Sequence, residues 1–361
     1  MTFTRRSALR LGGAAAAMAA FPRLAAASYA PRPEGWRSYE LTTSVTMPRN
    51  GAPAQAWVPV PYHMDADWTL PGETTFDTNG TAELVRDDAQ GIAFVHAIWE
   101  AGDSPAELTV VSTVQTQSRA VDLTTRGDAT LPVAERARLT APTELLPTDG
   151  IVRETAEGAI GWARGDLAQA RRLYDFVVES TERDPNVRGC GLGDIKSMLE
   201  MGALSGKCAD LNALFVGLAR AVELPARDLY GLRVAPSAFG YKSLGAGSEV
   251  VSKAQHCRAE VFLEGYGWVP ADPADVRKVV LEEPPQDLTL ESPEVEDVRA
   301  ALLGAAEGNW VCLNTAHDVT LPGSEQGMLP FFMYPQAEIG GVAQDELSPD
   351  TFTYEIIARE V

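Results

Sequence analysis

Cysteine and histidine are scarce in this chain, four of each in 361 residues, and both scarcities narrow its chemistry. No Cys-x-x-Cys pair and no His-x-x-x-His spacing is present, which removes the common zinc patterns. Gly-x-Gly-x-x-Gly after a strand, Gly-x-x-x-x-Gly-Lys-Ser/Thr and His-Glu-x-x-His are missing too. A nucleotide- or metal-dependent enzyme is therefore disfavoured, and no cofactor is expected. No stretch approaches the roughly 20 apolar residues of a membrane-spanning helix. Basic residues are outnumbered, 30 against 50 acidic, for a formal charge of −20. Such a body repels nucleic acid and anionic membranes, and a solvated acidic surface is its plainest reading. The length suits two to three domains with real cores.

What is present begins with residues 1–27, which hold Arg5, Arg6, Arg10 and Arg23 and no acid. Without those four, 26 basic residues face 50 acidic ones, a formal charge of −24. Arg5-Arg6, the mildly apolar Leu11–Pro22 and Ala25-Ala26-Ala27 have the order of a signal peptide, and the arginine pair points to twin-arginine export. The expected protein is periplasmic or secreted, with no integral membrane span. An oxidising compartment permits disulfides. If Cys208 is a free nucleophile, at most one bridge forms among Cys190, Cys257 and Cys312, and the pairing stays open.

Tyr39, Leu41, Thr43, Val45 and Met47 alternate with smaller or polar residues, the period of a half-buried strand. With Ala54–Val60, Ile92–Trp99 and Leu108–Gln115 they predict a small β-sandwich over 34–125. His63 and His96 fall near or within these strands and read as ordinary histidines. A mixed helix-and-strand region follows over 140–285. Asp166 looks like a helix N-cap with Gln169 three residues on, and Leu211, Leu214, Phe215, Leu218, Ala219 and Val222 form one apolar helix face. Arg227–Val234 reads as a strand, Pro236–Ser248 as an exposed loop, and Cys257–Leu263 with Trp268–Ala271 as a hairpin. Residues 286–361 are expected to be a C-terminal extension whose strands pack back onto the body, the last including Phe352, Tyr354, Ile356 and Ala358.

Cys208 precedes the apolar helix face by three residues, so it falls in the first turn. There the unpaired N–H groups and the helix dipole favour a thiolate and can bind an oxyanion. Alone, Cys208 reads more readily as a small core cysteine than as a nucleophile. His256 and Asp272 lie sixteen residues apart across the hairpin, whose midpoint is Glu264, so their side chains can meet on neighbouring strands. An Asp bonded to one imidazole nitrogen leaves the other facing a thiol. Strand alternation turns Cys257 to the opposite face from His256. His317 and Asp318, within the polar cluster Asn309-Trp310 to Asn314-Thr315-Ala316-His317-Asp318, read as a turn between strands in preference to a cleft lining.

Gly206-Lys207-Cys208-Ala209-Asp210, Leu214-Phe215, Leu218-Ala219-Arg220 and Leu224-Pro225-Ala226-Arg227 together resemble the cysteine block of the transglutaminase-like superfamily. His256-x-x-Ala259-Glu260-Val261 and Gly267-Trp268-Val269-Pro270-x-Asp272-Pro273 resemble its histidine and aspartate blocks. The resemblance covers roughly residues 145–280. It implies an α+β fold, a papain-like core in which the cysteine helix packs on an antiparallel sheet carrying His and Asp. It also implies Cys208 as nucleophile, His256 as general base and acid, and Asp272 as orienting residue. Two positions depart from the family pattern: Arg258 stands where many members have an aromatic, expected to alter the cleft lining, and Glu223 replaces a usual glycine. Lys196 and Ser205 are the only guesses at a second oxyanion donor.

The expected activity is a thiol hydrolase or acyltransferase acting on amide bonds of a cell-envelope peptide or protein, with hydrolysis favoured because water is abundant. The alternatives are a non-catalytic envelope binding module that keeps the fold and a true protein cross-linking transglutaminase.

Overall fold

The first and last strands of the described residues pair in the β-sandwich. The computed structural model describes residues 28–348 and 352–361; the twin-arginine segment at 1–27 lies outside them. One sheet runs in the order Thr353–Glu360, Arg37–Met47, Ala106–Thr116, Thr69–Thr78, and all its pairings are antiparallel. The second, also antiparallel, runs Val342–Ala343, Gln336–Ile339, Ala54–Pro59, Ile92–Trp99, Thr81–Asp87. The strand from Arg37 buries alternate residues, as its period requires, and it straddles two cores. Val45 and Met47 pack against Val58, Val95, Leu108 and Phe352 inside the sandwich. Tyr39 and Leu41 instead join the large core of the helical half. Each fully buried aliphatic side chain contributes about 1.5–3 kcal/mol, so this one strand ties the halves together.

The C-terminal strands are therefore full members of the two sheets. Leu41 pairs with Ala358 and Val45 with Tyr354, while Trp57 pairs with Gln336. Thr69–Thr78 and Thr81–Asp87 are strands that the sequence pattern did not signal. Both lie at sheet edges, largely exposed, so burial imposes little alternation on them.

The second half is built on a four-stranded antiparallel sheet in the order Gly267–Ala271, Gln255–Leu263, Ala226–Arg233, Trp310–Asn314. Against it packs the helix Cys208–Ala221, buried along its whole length. Helices Gly150–Ile160, Asp166–Ser180, Ile195–Met201 and Pro273–Glu282 surround that helix. The architecture is α+β. The cysteine helix ends where Glu223 takes a positive φ of 65°, a left-handed conformation that favours glycine. Glycine at this place in the family pattern has that physical reason. Arg220, buried, donates to the carbonyls of Ala226 (2.9 Å) and Ala141 (3.2 Å), fastening the helix end to the strand that follows.

Three local expectations are corrected. Gly165, not Asp166, is the N-cap of Asp166–Ser180, so Asp166 is the first helical residue. The segment 236–248 is exposed only in part: Pro236, Ala238, Gly240, Lys242, Gly247 and Ser248 face solvent, whereas Tyr241, Ser243, Leu244 and Ala246 are buried. The Glu283 carboxylate accepts hydrogen bonds from the N–H groups of Lys242 and Ser243 and from the Ser243 hydroxyl, which draws the segment inward. Finally, Leu263 pairs with Gly267, so the hairpin centres on Gly265 and not on Glu264.

The strand carrying His256 also carries Glu260, which is fully buried between Arg119 (2.8 Å) and Arg227 (2.5 Å). Each guanidinium lies over an indole, Arg119 over Trp68 at 5.0 Å and Arg227 over Trp268 at 4.0 Å. Burial alone raises a carboxyl pKa; here the two arginines overcome it and bring Glu260 down to about 2.

Candidate active site

Cys208 is the first residue of its helix. The turn leading into it is organised by Asp210, whose carboxylate accepts the Lys207 N–H (2.9 Å) and, from the loop before it, the N–H groups of Leu192 and Gly193 (2.9 Å each). Glycine is required on both sides of that carboxylate. A Cβ on Gly206 would lie 2.5 Å from Asp210 Oδ2, and one on Gly191, at φ +92°, 1.8 Å from it. The Gly206-Lys207-Cys208-Ala209-Asp210 run is thus a device for presenting a sulfur at a helix start. Ala209 N–H donates to the Cys190 carbonyl (2.9 Å); among the described residues the Cys208 N–H has no acceptor.

His256 begins the neighbouring strand, and its Nε2 lies 2.7 Å from Asp272 Oδ2. The ring's remaining nitrogen, Nδ1, is the one left for Cys208, whose thiolate the imidazole favours. Asp272 sits one residue past the last paired residues, Ala259 and Ala271, as N-cap of Pro273–Glu282. Its Oδ1 accepts the Asp275 N–H (3.0 Å) and the Asn212 side-chain amide (3.1 Å). Asn212 also donates to the Cys257 carbonyl (2.8 Å) and accepts the Ala274 N–H (3.3 Å), so one side chain of the cysteine helix ties together both strand ends. The Trp310 indole N–H donates to the His256 carbonyl (2.9 Å).

The charges follow. Burial opposes a proton on His256, but Asp275, 3.4 Å away, and Asp272 outweigh it and raise the imidazole pKa, with Arg233 acting in opposition. Asp275 is itself locked in a buried pair in which Arg233 Nη2 donates to both carboxylate oxygens (2.6 and 2.8 Å), which holds it well below the carboxylate range despite its burial. Cys208 is lowered well below an ordinary thiol: the Cys190 and Cys257 thiols and then His256 favour its anion, against desolvation. Cys190 and Cys257 are pushed the other way, the first by the neighbouring Cys208, the second by burial. A thiolate facing an imidazolium backed by a carboxylate is the ground state these shifts favour.

Cys208 and His256 are only 4% and 3% exposed. What reaches them comes through a cavity of about 660 Å³, whose wall includes Cys190, Lys207, Gln255 and Tyr334.

Residues 153–273 match the transglutaminase-like superfamily model. A protein of Haemophilus influenzae, uncharacterized, is 34% identical over 322 residues, covering 84% of this chain and 86% of its own. The chain belongs to the transglutaminase-like superfamily. Among solved structures, a protein of Cytophaga hutchinsonii described as a candidate cysteine protease superposes with a TM-score of 0.51, at 15% identity, over 90% of this chain and 98% of that one. At that identity the likeness is one of fold.

Within this superfamily member the structure brings Cys208, His256 and Asp272 to one point and leaves other candidates elsewhere. Cys257, expected on the face opposite His256 and so away from the nucleophile, has its sulfur within 4.8 Å of those of Cys190 and Cys208, in the core that the strand shares with the cysteine helix. All four cysteines are free and buried, so none of the bridges considered is formed. Lys196 is exposed and paired with Glu200 (3.8 Å), and Ser205 is exposed in the short strand Ser205–Gly206; neither lines the cavity.

Arg258 does not line it either. It lies over the Trp310 ring at 4.8 Å and donates to the Glu307 carbonyl. His317 and Asp318 form a short strand, not a turn, paired with Leu329–Phe331. There His317 bonds Asp228 (2.8 Å) and Tyr230 (3.1 Å), and Asp318 accepts the Glu144 N–H, away from the cavity. His96 stacks on Trp57 and bonds Gln55. His63 lies beside Trp68, its pKa lowered to about 4, chiefly by burial.

Asp275, Asn212, Arg233 and Trp310 were not identified from the sequence. Asp275 had a signal: Asp272-Pro273-Ala274-Asp275 is an N-cap, a proline at N1 and an acid at N3. The other three act through contacts 42 to 60 residues distant in the chain, which no local pattern encodes.

Proposed function

We propose that this protein is a cysteine-dependent amide hydrolase of the cell envelope, with Cys208, His256 and Asp272 as its catalytic set. The observation that carries this reading is the line from Cys208 through His256 to Asp272, assembled at the floor of a cavity. The Cys208 thiolate adds to an amide carbonyl, and the unpaired Cys208 N–H at the helix start is placed to bind the oxyanion. His256 gives its proton to the leaving amine, leaving a thioester on Cys208. Water then attacks the thioester, His256 takes its proton, and the thiolate departs. Nothing in the cavity argues for holding an amine and excluding water, so hydrolysis is preferred over cross-linking.

Lys207 and Lys253 add a preference for anionic acyl donors. Both line the cavity, and neither has an ion-pair partner among the described residues, whereas Arg183, Arg188, Arg233 and Lys278 are each matched by an acid. Glu346 is the one acid on the same wall among the described residues and burial raises its pKa, so the balance of unmatched charge in the cavity is positive in a strongly acidic protein. The test is to expose the mature protein to paired peptide pools, acidic and neutral, and identify by mass spectrometry the acyl group trapped on Cys208. An adduct drawn mainly from the acidic pool supports the reading; no Cys208 acyl adduct from either pool contradicts it and favours a binding module.

The export reading of residues 1–27 belongs to the same proposal. Replacing Arg5 and Arg6 with lysine should leave uncut precursor in the cytoplasm. Unchanged export of that variant, followed by immunoblotting of cell fractions, would remove the twin-arginine assignment.

A further inference from the structure

Three thiols meet where a single nucleophile needs one. The sulfurs of Cys190, Cys208 and Cys257 all lie within 4.8 Å of one another, and all three residues are buried and unbridged. They come from three different elements: the loop before the cysteine helix, the helix's first residue, and the central strand. Hydrogen bonds hold the two cysteines that flank Cys208. Ala209 N–H holds the Cys190 carbonyl, Asn212 holds the Cys257 carbonyl, and Cys190 Sγ lies 3.4 Å from the Gln255 carbonyl. A metal–thiolate bond of about 2.3 Å places three sulfurs around one ion roughly 3.8–4.0 Å apart, which the cluster meets with small side-chain adjustments. Sulfur-only donors select soft d10 cations and reject calcium or magnesium. Cys190 and Cys208 also line the cavity, which supplies an entry path.

We propose that Cys190, Cys208 and Cys257 form a three-thiolate site for a thiophilic d10 cation, Zn(II) or Cu(I), whose binding reversibly withdraws the nucleophile. Three metal–sulfur bonds form: Cys208 enters as thiolate, Cys190 and Cys257 each release a proton to solvent, and no electron is transferred. Cu(I) is satisfied by three sulfurs, whereas Zn(II) takes a water from the cavity as its fourth ligand. The inhibitory consequence rests on the hydrolase reading; the binding itself does not. A competing cluster lies next door, since His256, Asp272 and Asp275 also have ligand atoms within 4.8 Å of one another. Its carboxylates are already engaged by the imidazole and by Arg233, which disfavours it.

The test uses the reduced mature protein. Zn(II) and, under anaerobic conditions, Cu(I) are each titrated in competition with a chromophoric chelator, and Co(II) serves as a probe of thiolate charge-transfer absorption. One ion per chain is expected, and the tighter of the two arms names the cation. Cys190→Ala and Cys257→Ala should each weaken binding by 10-fold or more and lower the Co(II)–thiolate band. Cys312→Ala, whose thiol is buried elsewhere beside Trp310, should change neither. Circular dichroism of the metal-free variants shows that each is folded, and Cys257→Ser stands in if the alanine variant is not. Wild-type affinity in both Cys190→Ala and Cys257→Ala, or an ion bound without a thiolate band, would overturn the proposal. Turnover is read separately on the metal-free protein, so ion binding with no hydrolysis by the metal-free form sinks the hydrolase reading alone, and hydrolysis with no ion taken up on titration sinks this one alone.

Discussion

Asp272→Asn should slow turnover by about 10²- to 10⁴-fold while the protein stays folded. The carboxylate serves two sets of donors at once: His256 on Oδ2, and Asn212 with the Asp275 N–H on Oδ1. An asparagine has one acceptor and one donor end. With its oxygen kept at the helix start, its amide N–H₂ faces His256 Nε2 and forces the tautomer with a proton on Nδ1 and none on Nε2. The nitrogen facing Cys208 then has no lone pair to accept the thiol proton. With its oxygen turned to His256, the amide meets two donors at the helix start instead. Steady-state kinetics with a circular dichroism check of the fold reads the outcome. Near-wild-type turnover in the asparagine variant would mean that Asp272 is a helix cap and nothing more.

Glu260→Gln should be the most destabilising single change near the site, by about 3–5 kcal/mol, because it leaves Arg119 and Arg227 buried and unmatched. The same pair predicts the acid limb of stability. Glu260 has a folded pKa of about 2, below the unfolded value of about 4.3. Its contribution is therefore complete above about pH 4.3 and is lost as the pH falls toward 2, amounting to about 3 kcal/mol. In the glutamine variant that part of the pH dependence should vanish. Urea denaturation at pH 7 and at pH 3 measures both effects; equal stabilities of wild type and variant at pH 7 would show that the buried pair contributes nothing net.

Much of the catalytic half was legible because its local signals agree with its tertiary environment. The cysteine helix announced itself by an apolar face, although in the fold every face is buried, so the polar positions Asp210, Asn212 and Arg220 carry the specific contacts. The hairpin was visible in its glycines, but its register was not. Moving the centre from Glu264 to Gly265 takes Asp272 off the strand and onto a helix start, a shift of one residue that alternation alone does not resolve. Strand alternation set Cys257 apart from His256 but could not show that the cysteine helix brings Cys208 to within 4.8 Å of it. Strands Thr69–Thr78 and Thr81–Asp87 escaped because exposed edges need no apolar period. The segment 236–248 looked like a solvated loop from its glycines and serines, and was drawn inward by Glu283, about 40 residues further on.

The most direct test of the account is the pH dependence of Cys208 alkylation in the mature protein, with the adduct located by mass spectrometry. The structure joins a lowered thiol to a raised imidazole, so the rate should reach its plateau well below the unperturbed thiol pKa of about 8.5. His256→Ala removes the cation that stabilises the thiolate and should move the midpoint upward toward that value. A wild-type midpoint near 8.5, unchanged in His256→Ala, would contradict a coupled thiolate–imidazolium pair and with it the proposed chemistry.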